Sequence, residues 1–281
     1  MDGLDSAILH GENLEIMAGF PDASFRMVYT DPPFNTGRRR TRQTLRVTPD
    51  EDGERTGFGG RRYRSELLAQ SSYDDSFDDY LGFLEPRLRE LRRLLDPEGT
   101  LYLHLDQREA HYVKVLLDAI FGRDCFLNEI VWAYDYGGKP RRRWPAKHDT
   151  ILVYVRDARR YFFDAEAVER EPYMAPGLVT AEKAARGKLP TDVWWHTIVS
   201  PTGAEKTGYP TQKPGGIVRR MLQASTRPGD RVLDPFAGSG TLGAVAAALG
   251  RRYVLIDERE QAVEVMRRRL ADARAPAARR G

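Results

Sequence analysis

Asp31-Pro32-Pro33-Phe34 closes a β-branched and aromatic run, Phe25 to Thr30. Such a run reads as a buried strand, so the acid stands where the strand ends. In open α/β sheets, ligands gather beyond the carboxyl ends of strands. Two prolines fix successive φ angles and stiffen the turn after the acid. The combination presents a carboxylate acceptor and a flat ring on a rigid support.

A second strand end carries a different chemistry. In "DRVLDPFAGSGTLG", Gly238, Gly240 and Gly243 match the G-x-G-x-x-G spacing after a strand and at the opening of a helix. Glycines there permit a tight turn and close backbone approach to a nucleotide-like ligand. Asp257 ends the next strand, where an acid can hold ribose hydroxyls. A plain strand-to-helix turn is the competing reading. A nicotinamide-dependent oxidoreductase is a second, but its fingerprint opens the fold, whereas only about forty residues follow Gly240, too few for several more βα units. The site must be completed by earlier strands, among them the one ending at Asp31.

The elements that position these ends alternate between β and α. Strands are predicted at Phe25 to Thr30, "GTLYLHLD", "NEIVWAY", "DTILVYV", "RVLD" and "RYVLID". Helices are predicted over "SFDDYLGFLEPRLRELRRLL", which Pro86 should kink or divide, and over "REAHYVKVLLDAIFG", "GGIVRRMLQAST", "TLGAVAAALG" and the charged final segment. The alternation predicts an α/β fold, an open and mostly parallel Rossmann-like sheet with helices on both faces.

Composition narrows the function classes. The chain has 281 residues and a formal net charge of +3, so no global basic signal points to nucleic acid. Charge is instead local. Arg38, Arg39, Arg40 and Arg42 open a stretch, residues 37–72, that has few apolar residues and no clear period. It reads as a long loop, a solvated linker or a clamp on phosphates. Arg141, Arg142 and Arg143 beside Trp144 form a second basic group between two strands. No apolar run is long enough to span a membrane, and the N-terminus lacks the pattern of a secretory signal. Cys125 is the one cysteine, which excludes an internal disulfide and a cysteine-clustered metal site. The histidines show no metal spacing, and no metal is expected. The location expected is the cytoplasm of a bacterial or archaeal cell.

Three motifs in order carry a resemblance. Asp31-Pro32-Pro33-Phe34 resembles the (D/N/S)-P-P-(Y/F) motif of the amino DNA methyltransferases. Thr211-Gln212-Lys213-Pro214 resembles the segment just upstream of their cofactor loop. Asp234-Pro235-Phe236-Ala237-Gly238-Ser239-Gly240 resembles their F-x-G-x-G loop for S-adenosyl-L-methionine. Catalytic motif first and cofactor motif last is the permuted β-class order. The resemblance covers nearly the whole chain and weakens in the arginine-rich stretch and between Tyr161 and Tyr209.

The resemblance implies methyl transfer to the exocyclic amine of adenine or cytosine in double-stranded DNA, with adenine N6 favoured by an Asp-Pro-Pro motif. Such an amine is a poor nucleophile, because its lone pair is delocalised into the ring. Asp31, with the Pro32 carbonyl, would hold the amino protons so that the lone pair faces the sulfonium methyl. Phe34 would stack on a base flipped out of the duplex. Asp31, Pro32, Pro33 and Phe34 are thus the implied catalytic set. Asp234, Phe236, Gly238, Gly240, Asp257, Glu12, Thr211 and Lys213 are the implied cofactor set. Glu12 departs from the family pattern, which has Gly-Asp where this chain has Gly-Glu. Methylation at cytosine C5 needs a thiolate nucleophile, and Cys125 lies in no such motif. His104 and Asp106 end a strand without an assigned role.

The implied organisation is a catalytic part over residues 1–160, a target-recognition region over 161–208 and a cofactor-binding part over 209–281. Arg38, Arg39, Arg40, Arg42, Arg141, Arg142 and Arg143 would contact DNA. The resemblance leaves room for a homodimer and for a cognate restriction endonuclease. A catalytically dead DNA-binding protein is a further reading, opposed by the intact Asp31 and glycines. A methyltransferase for RNA or protein glutamine is another, opposed by the acid and the permuted order.

Overall fold

The strand that ends at Asp31, β2 (Phe25–Thr30), lies near the middle of an eight-stranded sheet. In the computed structural model, residues 5–35, 38–49, 52, 55–56, 62–75, 77–200 and 203–274 are described. They belong to two units, residues 1–32 with 79–281, and residues 33–78.

The larger unit holds β1 (Ala7–His10), β2, β6 (Leu95–Leu105), β7 (Phe126–Ala133), β8 (His148–Val155), β9 (Val193–Trp195), β10 (Arg231–Asp234) and β11 (Arg252–Asp257). Their order is β1-β11-β10-β2-β6-β8-β7-β9. From β1 to β6 all neighbours are parallel. β8 runs antiparallel to both β6 and β7, and β9 is parallel to β7. The reversal of β8 brings its start, with the ends of β7 and β9, to the edge of the sheet where β2 and β6 end.

Helices cover both faces. Met27, Tyr29 and Tyr102 of the sheet form one apolar cluster with Ile217, Val218, Met221 and Leu222 of α5 (Gly215–Ser225), and with residues of α6 (Thr241–Ala248) and α7 (Glu260–Arg274). The alternating residues Val28 and Leu101 are fully buried outside that cluster. On that side α1 (Asn13–Ala18), α2 (Tyr80–Leu94) and α3 (Ala110–Phe121) contact β11, β6 and β8. Among the described residues no helix is long and apolar enough to cross a membrane.

Three expectations change. α2 is one helix that contains Pro86, capped by the Asp79 side chain on Gly82 N–H at 2.8 Å. Its buried Leu84, Leu88 and Leu91 hold it together across the proline, so tertiary packing overrides the local penalty. Within the span 161–208, where no regular element is expected from the sequence, β9 extends the main sheet through Trp132↔Trp194.

The third change is in residues 37–72, where strands stand in place of the expected structureless loop. β3 (Arg38–Pro49), β4 (Arg55–Thr56) and β5 (Arg62–Asp75) make the second unit's sheet in the order β3-β5-β4. The ladder runs antiparallel from Arg38↔Asp75 to Pro49↔Tyr63. Too few apolar residues are present for periodicity to register. The β-branched Thr41, Thr44, Val47 and Thr48 nonetheless favour extended backbone.

Candidate active site

Side chains alternate along a strand, so Tyr29 and Asp31 face one way. Tyr29 pairs with Tyr102 across the β2–β6 ladder, which puts His104 beside Asp31. His104 pairs with Ile151, and Asp149 follows on the same face of β8. Trp132 of β7 lies opposite Asp149. A polar row therefore crosses four strands at the edge where β2 and β6 end.

Every member of that row is engaged. Lys213 Nζ donates to Asp31 Oδ2 in a nearly buried ion pair. Asp31 Oδ1 is buried without a hydrogen-bond partner and lies 3.9 Å from His104 Nδ1. His104 is 0% exposed. Its Nδ1 lies 3.0 Å from the Tyr29 hydroxyl, and its Nε2 lies 3.2 Å from Asp149 Oδ2. Tyr134 donates to Asp149 Oδ1 at 3.0 Å. Trp132 packs edge-on to the imidazole at 5.5 Å between centroids.

The electrostatics follow from burial. Burial alone would push the Asp149 carboxyl up. The hydrogen bond from His104, with Lys213 and Tyr134, outweighs burial and holds it below the usual carboxylate range. Tyr29 is pushed well above the ordinary phenol value, first by burial and then by the charges of Asp31, Asp234 and Asp149. Its hydroxyl therefore stays protonated and donates.

The glycine turn lies at the neighbouring strand ends. Gly238 and Gly240 adopt φ of +49° and +70°, in the left-handed region. A Cβ on Gly240 would lie 2.8 Å from Met266 Cγ, and one on Gly243 would lie 2.6 Å from Leu255 Cδ1. The first glycines make the turn, and the third lets α6 lie close on β11. Asp257 Oδ2 accepts Gly238 N–H at 2.9 Å, and its Oδ1 accepts Arg259 N–H at 2.9 Å. Asp234 is 3% exposed and accepts Phe236 N–H at 3.1 Å. Its carboxyl is pushed well above the usual range by burial, reinforced by the charges of Asp31 and Asp257. Burial also raises Asp257.

This cradle fits a nucleoside cofactor. It combines a glycine turn, an acid with unused lone pairs at the next strand end, and the half-buried ring of Phe236. The Phe236 ring lies 6.2 Å from Phe83. Thr211 sits at φ +59°, where β-branched residues are seldom found. The Lys213 carbonyl accepts from the Thr241 hydroxyl at 3.1 Å, which ties the Thr-Gln-Lys-Pro segment to the start of α6.

Other expected residues are placed differently. Glu12 caps α1 through Glu15 N–H at 3.0 Å and pairs with Arg87 at 2.5 Å. Pro32 is buried at the end of β2, while Pro33 and Phe34 begin the second unit. Arg38, Arg39, Arg40 and Arg42 lie on β3. Arg141, Arg142 and Arg143 are exposed in the β7–β8 connection with Trp144, which is 93% exposed. Asp106 pairs with Arg108 in the turn before α3.

Sequence reasoning missed Asp149, Tyr134 and Asn13. Asn13 is buried and donates to the Pro235 carbonyl at 3.0 Å, while accepting from Arg87 Nε at 2.8 Å. The available signal was polarity out of place, such as His104 inside "LYLHL" and Asp149 at the head of "DTILVYV".

Known proteins resemble this chain over most of its length. A family model described as DNA methylase, for N6 and N4 amino methylation, matches residues 25–268. The DNA adenine methyltransferase YhdJ of Escherichia coli K12 is 29% identical over 94% of this chain and 82% of its own. The type II methyltransferase M.HpaI of Haemophilus parainfluenzae is 28% identical over 95% of this chain and 74% of its own. Among solved structures, the cytosine-N4-specific PvuII DNA methyltransferase superposes with a TM-score of 0.66 at 15% identity, covering 95% of this chain and 86% of that one. The M1.HpyAVI–SAM complex superposes with a TM-score of 0.59 at 21% identity, covering 94% and 98%. These two likenesses concern the fold. The family match removes the nicotinamide reading of the glycine turn. The chain belongs to the S-adenosylmethionine-dependent N6/N4 DNA methylases.

Proposed function

We propose that this protein methylates the N6 amine of a flipped adenine in double-stranded DNA at a specific sequence. The carrying observation is the Asp31 carboxylate at the end of β2, with Oδ2 held by Lys213 and Oδ1 buried and open. Oδ1, with the Pro32 carbonyl, accepts the amino protons and lets the nitrogen lone pair turn toward the methyl group. A buried acceptor lacking its donor costs about 1–3 kcal/mol, so the site favours a ligand that brings an N–H. The adenine methyltransferase among its relatives supports adenine. Cytosine N4 is the second reading, because its amine needs the same acceptor.

The bound cofactor supplies an electrophilic methyl group. Gly238, Gly240, Phe236, Asp234 and Asp257 would hold it, with Thr211 and Lys213 at the border. Glu12 would act through the cap of α1. Pro33 fixes the turn, and Phe34 stacks on the extruded base. The exposed Arg141, Arg142, Arg143 and Trp144, together with Arg38, Arg39, Arg40 and Arg42, contact phosphates. Residues 161–208 read base edges. A cognate restriction endonuclease belongs to the same reading, supported by the type II name of M.HpaI. A DNA substrate supports the expected location, the cytoplasm of a bacterial or archaeal cell.

Mass spectrometry of nucleosides tests this proposal, using DNA treated with protein and methyl-labelled cofactor. Label in N6-methyladenine is the expected result. Label in N4-methylcytosine selects the second reading, and label in neither overturns both.

A further inference from the structure

We propose that His104 is a positioning residue behind Asp31: it receives the proton that methyl transfer releases, and Asp149 holds the resulting imidazolium. The inference rests on Asp31 as the acceptor for the target amine.

The reaction must dispose of one proton. The amine lone pair forms the N–C bond while the methyl–sulfur bond breaks and leaves its electron pair on sulfur. The nitrogen then carries the positive charge and loses a proton to Asp31. Lys213 already occupies Oδ2, so protonated Asp31 carries its hydrogen on Oδ1. The base beside that oxygen is His104 Nδ1 at 3.9 Å, a separation that the transfer requires to tighten when substrate is bound.

The arrangement on the far side of the imidazole is that of an acceptor. Asp149 is ionised and takes a hydrogen from Nε2 at 3.2 Å, so Nδ1 of the neutral ring bears the lone pair. In the resting site that lone pair receives the Tyr29 O–H at 3.0 Å. When Nδ1 gains the proton, the Tyr29 hydroxyl turns and accepts. The imidazolium then lies between that oxygen and Asp149, whose other oxygen is fixed by Tyr134. The base–orienter pairing is that of hydrolase triads, with Asp31 in place of the nucleophile. Among the described residues, Tyr29 and Asp31 of β2 and Asp149 of β8 face His104, while Tyr134 holds Asp149 and Lys213 holds Asp31. Trp132 closes the remaining side. A merely structural histidine satisfies a buried chain equally well, so the test must report on proton affinity.

Asp149→Asn keeps the volume and an oxygen for Nε2–H but removes the charge that stabilises imidazolium. Two readouts are compared from pH 5 to 9. One is the single-turnover methylation rate. The other is the titration of the His104 imidazole by NMR of carbon-labelled histidine without cofactor, with the signal assigned by its loss in His104→Asn. We expect the rate plateau to fall roughly 100-fold, the lower end of what positioned proton transfer contributes. The acid limb of the rate and the imidazole midpoint should both move to lower pH by the same interval, with cofactor affinity unchanged. A rate profile that keeps the parent midpoint while the imidazole midpoint moves overturns the proposal, as does a parental plateau. Tyr29→Phe, a conservative change in a packed site, should lower the rate several-fold without moving cofactor affinity. A parental rate in that variant also counts against the relay and covers the case in which Asp149→Asn does not fold. Asp31→Ala separates the two levels. Normal methylation by that variant removes the underlying reading, whereas its loss alongside a silent Asp149→Asn removes only the role of His104.

Discussion

The two groups of strand ends at the active edge solve the same problem with different materials. At β2, β6 and β8, polarity is supplied by side chains. Asp31, His104, Asp149 and Lys213 satisfy one another, and one buried oxygen of Asp31 is left without a hydrogen-bond donor. At β10 and β11 the backbone supplies it. Gly238, Phe236 and Arg259 donate N–H groups to Asp257 and Asp234. The first arrangement is built from ionisable side chains, the groups that proton transfer needs. The second is fixed in shape, which suits binding. Burial pushes the carboxyls of the binding side up, while charge partners hold Asp149 down.

Breaking the charged side should abolish chemistry and spare binding. Asp31→Ala is expected to cut single-turnover methyl transfer by about 10²–10³-fold, as for loss of a group that acts mainly on the transition state. Cofactor affinity, read by calorimetry, should change little. An equal loss in affinity would merge the two sides into one.

Breaking the rigid side should do the reverse. Gly240→Val places a β-branched residue at φ +70° with its Cβ against Met266. Affinity for S-adenosylmethionine should fall about tenfold or more, a loss of at least about 1.4 kcal/mol. In the folded variant the rate at saturating cofactor should stay near the parent's.

DNA binding should be separable from both. Replacing Arg38, Arg39 and Arg40 with alanine should weaken it on all sequences. The log–log salt slope should fall by roughly one for each phosphate that is no longer neutralised. Fluorescence anisotropy across a salt series measures this, and unchanged slopes would shift the DNA face to Arg141–Trp144.

The smallest effect sharpens the contrast through pH. Asp234 has a raised carboxyl, so the native state binds more protons than the unfolded chain above its ordinary value, and stability falls as pH rises. Asp149 is depressed, so its contribution is present above the ordinary value and disappears as pH falls through its lowered value. Thermal melts should therefore tilt in opposite directions. Relative to the parent, Asp234→Asn gains a few °C between about pH 4 and 7. Asp149→Asn loses most near neutrality, and its deficit shrinks in acid.

The sequence exposed the two strand ends because each combines rare residues in a fixed order. Pro32 and Pro33 after an acid, and glycines at G-x-G-x-x-G spacing, have local causes. The βα alternation was legible for the same reason. The support behind Asp31 was not, because Asp149 reaches His104 only through the register of β6 with β8. Nor was Asn13, which bridges Pro235 from 222 residues away. The strands of residues 38–75 were hidden by low apolar content, since periodicity reports burial, and a ladder forms from backbone alone.

The place of β10 in the sheet also sets a clock. It lies between β11 and β2, so the middle of the sheet joins segments from opposite ends of the sequence. Until residues beyond Arg231 emerge during synthesis, the edge of β2 that β10 will cover has no partner. Contacts spanning such separations form slowly, because loop closure precedes their reward. A nascent chain carries that open β-edge until β10 is made, the condition under which chaperone capture competes with aggregation.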